Sequence, residues 1–192
     1  MNLFDVSAIL LIGFAILSFV DGVYLHLYRF RLHARPETRR EHWTHTARAF
    51  LFVPTLLFVL SGTSSGVWLW LGVATIVADL AVTIWDVSEE RESRAFQGGL
   101  PRYELVIHVA VTALHVGAIA TSLWARPAAA WWGVTEAHVS AAGFAHDVAT
   151  VGLLGGSVIV AAAHVLLALS PRVASWLPAP RRADSAVVLE AA

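Results

Sequence analysis

Fourteen carboxylates and nine histidines occur in a chain of 192 residues that has no cysteine and no lysine. Any metal it binds must therefore be held by nitrogen and oxygen donors, which suits iron, manganese or zinc. Asp79, Asp86 and Glu90 are spaced i, i+7, i+11, and Glu104, His108 and His115 are spaced i, i+4, i+11. A helix advances about 100° per residue, so each set lies along one face. Glu41 and His45 obey the same rule, with His42 beside them, and His26 and His33 (i, i+7) do so if their helix runs that far. Histidines and carboxylates on facing helices are how paired-metal sites are built inside helical bundles. The candidate ligands are His26, His42, His45, Asp79, Asp86, Glu90, Glu104, His108 and His115. The expected occupant is a divalent metal, iron before the others. The expected chemistry is a di-iron type of oxidoreduction on a lipid or quinone-like substrate.

Other functions fit the same residues. Two histidines from different helices, such as His45 and His108, can hold a b-type haem and make the chain an electron-transfer subunit. The stripes can also line a path for protons or metal ions, or pair inside an accessory subunit of a membrane complex. Ion pairs such as Asp79 or Asp86 with Arg48 are a structural alternative to ligation. His164 reads as a polar group bonded to a neighbouring helix. Asp21 lies about 140° around an α-helix from His26 and is expected to pair elsewhere. His138 and His146 read as solvated residues of an outer segment, and Glu89 to Arg94 as a solvated charge run in a loop.

The elements that carry these residues follow from composition. The chain is 57% hydrophobic and only 14% charged, with mean hydropathy +0.66. An average soluble domain is about a quarter charged. A net charge of −1 gives no field to attract nucleic acid. Without cysteine there are no disulfides, Fe–S clusters or covalently attached haem, and without lysine no Schiff base or P-loop. Five apolar runs, near residues 3–28, 43–60, 67–85, 105–124 and 148–169, are each long enough to span a bilayer as a helix. The first lacks the basic n-region of a signal peptide and contains Asp21, so it reads as a retained span.

The fold class is all-α: a polytopic bundle of about five transmembrane helices forming one domain over 1–170, followed by a flexible tail over 171–192. With five spans, twelve of the thirteen arginines fall on one side and only Arg126 on the other. The positive-inside rule then puts the N-terminus outside and the C-terminus in the cytoplasm, in a bacterial-type inner membrane. The bilayer is the expected partner, with a homo-oligomer or a larger membrane complex as further possibilities and no nucleic acid. Pro54 predicts a kink in the second span, and Gly152 with Gly156 a close helix contact in the fifth. Residues 127–147, with Trp131 and Trp132, predict a short helix or loop on the outer surface.

Histidine-rich cytoplasmic helix ends are similar in chemistry to membrane fatty-acid desaturases and hydroxylases. Only His42-x-x-His45 approaches their histidine boxes. The run Glu89-Glu90-Arg91-Glu92-Ser93-Arg94 fits the EExxxR pattern of the CAAX-type intramembrane proteases, but no Phe-x-x-x-His follows it.

Overall fold

The computed structural model describes residues 1–95 and 98–169; the expected tail, with Arg172, Arg181 and Arg182, lies outside them. The described residues form helices and turns, with no strand among them. Five stretches are long and apolar enough to cross a membrane: Leu3–Ala34, Arg39–Leu60, Gly66–Glu90, Arg102–Trp124 and Gly143–Leu169. The first contains helix α1 (Leu3–Ser18) and a π-helical continuation, Phe19–Arg29; the second contains α2 (Arg39–Thr55) and a π-helical turn, Leu56–Leu60. Helices α3 (Gly66–Ser93) and α4 (Arg102–Trp124) follow. Short α5 (Glu136–Ala141) and α6 (Gly143–Asp147) lead through a π-helical segment, Val148–Leu153, into α7 (Leu154–Leu169).

Burial is inverted relative to a water-soluble protein. Ile9, Val77, Ile84, Val109, Val151 and Ile159 are exposed, while Glu41, Arg94 and Glu104 are fully buried. That distribution suits a hydrocarbon solvent, where apolar side chains face out and charges must pair within the bundle. α1 packs on α4, and α2 packs between α3 and α7. Leu11, Phe14, Leu56, Leu60, Val111, Ala118 and Ala149 form the apolar core. Hydroxyls tie the helices across it: Ser7 Oγ donates to the Ala118 carbonyl (2.7 Å) and Ser122 Oγ to the Val59 carbonyl (2.8 Å). A Cβ at Gly72 would come within 2.6 Å of the Val59 side chain, so glycine there is what lets α3 lie close on the second span.

Departures from regular α-helix matter more than its regular parts. Pro54 has no N–H and crowds the carbonyl one turn back. The ladder changes to π geometry at Leu56, one residue past Thr55, so the expected kink site coincides with a change of helix type. In the first span, the π-helical stretch ends when the Phe30 N–H bonds the Leu25 carbonyl, and Arg31 then turns left-handed at φ 53°. This breaks the helix before His33. The expected His26–His33 stripe is therefore not formed, and the His33 ring lies 5.8 Å from that of His42 instead.

The opposite end of the bundle is closed by Arg126. Its guanidinium donates to the carbonyls of Val59 (2.5 Å), Gly62 (3.1 Å) and Ser64 (3.1 Å), capping the end of the second span. Burial lowers its pKa to about 10. Residues 127–147 do form short helices, as expected, but His138 is buried, not solvated. Its Nε2 lies 3.2 Å from Arg126 Nη1 and must accept, because a guanidinium only donates. Burial, then the Arg126 charge, hold His138 below the ordinary histidine value. The folded chain thus takes up this proton less readily than the unfolded one. The stability that neutral His138 supplies is complete above the ordinary histidine range and is lost as pH falls through it. Thermal unfolding in detergent between about pH 7 and about pH 5 should show a falling melting temperature, and His138→Gln should flatten part of that slope. An unaltered slope would remove His138 from the acid response.

Candidate metal centre

The stripes of four helices meet at the end of the bundle opposite Arg126. α3 carries Asp79, Asp86 and Glu90 on one continuous helix that runs to Ser93, so the Glu89–Ser93 run is helical and not a loop. α4 brings Glu104, His108 and His115, α2 brings Glu41 and His45, and the π-helical segment of the first span brings His26 and Asp21. Asp21 is there because π-helical hydrogen bonds run to i+5, which stacks residues five apart on one face. The expectation that it pairs elsewhere is corrected: Asp21 Oδ1 lies 3.2 Å from His108 Nε2 and 3.6 Å from His26 Nε2.

Five side chains form two overlapping triads, Asp21–His26–His108 and His26–Glu41–His45, with donor atoms in each triad within 4.8 Å of one another. Asp21 Oδ1 and His108 Nε2, and likewise Glu41 Oε1 and His45 Nε2, face each other as ion pairs without good hydrogen-bond geometry, and His26 Nδ1 is buried without a hydrogen-bond partner. Leaving such an atom wholly unsatisfied costs about 1–3 kcal/mol, and the two ion pairs offset only part of that cost. Two donors on one ion at about 2.1 Å stand about 3.0–3.4 Å apart. His108 Nε2 and Asp21 Oδ1 are at 3.2 Å, and His45 Nε2 and Glu41 Oε1 at 3.6 Å. These residues therefore fit a metal by donor type, and the Asp21–His108 pair already stands at ligand spacing while Glu41–His45 lies slightly wider.

Around the triads lies a frame of ion pairs. Arg94, fully buried, donates from Nη1 to Glu41 Oε2 (2.6 Å) and from Nε to Glu104 Oε1 (3.1 Å), with a further contact from Nη2 to Glu104. Burial opposes its charge, but its bonds to Glu104 and Glu41 override this and hold its pKa above the ordinary arginine value. Glu104 in turn lies 3.1 Å from His26 Nε2 and fixes that ring. Glu90 Oε1, at 3.1 Å from His108 Nδ1, leaves Nε2 of the same ring facing Asp21. A carboxylate on the far nitrogen of an imidazole is the usual way a ligand histidine is oriented. Thr44 and Arg48 (3.3 Å) hold Asp86, and Arg48 also reaches Asp79 at 3.4 Å.

The nine candidate ligands thus separate. His26, His45 and His108 lie in the triads. Glu90 and Glu104 contact ligand rings, and Asp79 and Asp86 neutralise Arg48. His42 turns toward α7, where Nε2 bonds the His164 carbonyl (3.1 Å) and the two rings stack. His115 stacks on Phe14 at 4.4 Å. Reasoning from regular helices leaves Asp21 and Arg94 out of this cluster and names Glu41 only as the i, i+4 neighbour of His45. The i, i+4 spacing of Glu41 and His45 was the available signal for Glu41. No signal in the charge run distinguishes Arg94 from its neighbours. Beside the triads, Asp21 and His45 also border a cavity of about 440 Å³.

No family model matches this chain, and neither the curated proteins nor the solved structures compared with it include a match.

Proposed function

We propose that the protein is a membrane oxidoreductase that holds a pair of divalent metal ions, iron in the working form, on Asp21, His26, Glu41, His45 and His108. The observation that carries this reading is the pair of overlapping His/carboxylate triads that α2, α4 and the π-helical segment of the first span bring together. The two triads share His26, whose Nδ1 has no hydrogen-bond partner while Nε2 meets Glu104. Bound iron would supply one-electron redox chemistry at each ion for a lipid or quinone-like substrate. The protein's own groups do the rest. Arg94 and Glu104 hold the His26 ring, Glu90 holds His108, and the buried carboxylates offset the metal charge. The arginine-rich connections support a reading in which this end faces the cytoplasm across a bacterial-type plasma membrane.

Less supports the bis-histidine haem alternative. The rings of His45 and His108 both pack edge-on against His26, at 4.4 and 5.6 Å, and acidic oxygens stand where an apolar porphyrin would lie. Elemental analysis and an absorbance spectrum of the full chain, purified in detergent without chelator, test the proposal. Two iron ions per chain and no Soret band are the expected result. A metal-free protein would overturn the site; a zinc-only protein would overturn the redox assignment; a Soret band would favour haem.

A further inference from the structure

The cavity beside the metal centre is a seam in the bundle. The outer half of α1 touches α6 and the start of the fifth span, but deeper in the membrane α1 and α7 diverge. Gly152 and Gly156, which the sequence presents as a helix-contact pair, make no such contact: a Cβ on Gly156 would meet nothing within 4 Å, and both residues border the cavity. At about 440 Å³ the space falls within the range of small-molecule sites, about 300–1,000 Å³. One wall is aromatic, with Phe14 stacked on His115 and Phe52 edge-on to the same ring at 5.8 Å.

Apart from the triad residues, three polar atoms of cavity-lining residues are buried without hydrogen-bond partners: Ser18 Oγ, His115 Nε2 and His164 Nδ1. They come from three different helices, α1, α4 and α7, that border an otherwise largely apolar space. Charge selects among amphipathic molecules. Arg48 is the one arginine among the described lining residues, and Asp79 and Asp86 already neutralise it, while Asp21 adds a further carboxylate. A fatty acid or phospholipid headgroup would bring a further negative charge to an already compensated site. A flat, uncharged ring carrying oxygen acceptors meets both the aromatic wall and the polar atoms offered by three helices.

We propose that this cavity binds the ring of a membrane quinone or quinol, with its apolar tail leaving between α1 and α7 into the bilayer. The inference rests on the metal reading only in giving the bound ring a reaction partner; binding itself does not require metal.

The test uses the full chain in nanodiscs, with decylubiquinone as the probe and oleate as the comparison. Calorimetry should show one saturable quinone site that oleate does not displace. Gly156→Phe, and independently Val160→Trp, fill the cavity without replacing a triad residue. Each should weaken quinone binding by about tenfold or more while metal content stays at the wild-type level. A photoreactive azidoquinone on the unmutated protein should label residues 14–22 and 152–160, which needs no variant to fold. Absent binding, displacement by oleate, or labelling elsewhere would overturn the cavity assignment. If metal is present and quinone does not bind, this inference fails alone. If quinone binds a protein that never carries metal, the proposed function fails and the cavity assignment stands.

Discussion

Replacing Arg94 with Leu should destabilise the protein by about 3–5 kcal/mol and empty the metal centre. Arg94 is fully buried and answers two carboxylates that are themselves fully buried, Glu41 and Glu104. Leucine fills much of the space but leaves both acids without a counter-charge, and each sits against a histidine of the triads. The loss therefore acts twice, on folding and on the geometry of His26 and His45. Arg94→Lys should recover little, because one ammonium cannot reproduce a planar fork that contacts Glu104 through two nitrogens and Glu41 through a third. Adding Glu41→Gln and Glu104→Gln to Arg94→Leu should restore much of the stability, since removing a whole buried charge set costs far less than removing one member. Thermal unfolding in detergent gives the stability, and elemental analysis of the same samples gives the metal. A melting temperature unchanged in Arg94→Leu would show that the guanidinium is not the tie between these helices.

Regular helix is legible in a sequence, and interruptions of it are not. The five spans and the stripes on α3 and α4 could be read from hydropathy and a period of 3.6, because both helices hold that period through Asp79–Glu90 and Glu104–His115. Arg48 with Asp79 and Asp86 was foreseeable for the same reason. Asp21 was not, because a π-helical segment changes which residues share a face, and nothing in Phe19–Arg29 announces that geometry. His33 was over-read because Arg31 adopts a left-handed conformation that few non-glycine residues take. His42 and His45 sit three residues apart on one helix; which of them faces the centre is decided by where α7 packs, a tertiary fact. Arg94 looks in sequence like any surface charge. Its burial depends on α3 running eight residues past Trp85, the end of the apolar run, to meet Glu41 and Glu104. Gly152 and Gly156 have the spacing of a packing motif, and only the divergence of α1 from α7 shows that they border a space.

His26→Ala should abolish metal binding altogether, a larger effect than loss of any other ligand. His26 is the one residue common to both triads, and its ring is fully buried. Without it each triad keeps only two donors, Asp21 with His108 and Glu41 with His45, too few to close an ion against water. The remaining variants should grade differently. Asp21→Asn or His108→Ala opens one triad and should leave about one ion per chain, as should His45→Ala for the other. Glu90→Gln leaves every triad donor in place and changes only the group at 3.1 Å from His108 Nδ1, so it should weaken metal affinity by about 10–100-fold without changing the number of ions at saturation. Metal titration of the reconstituted full chain, with elution volume and helical content as folding controls, separates these outcomes. Equal losses in His26→Ala and His45→Ala would reduce the pair to a single ion with one ligand set. Full metal content in a folded His26→Ala protein would move the metal away from these residues entirely, leaving the unpartnered donors to be satisfied by buried water.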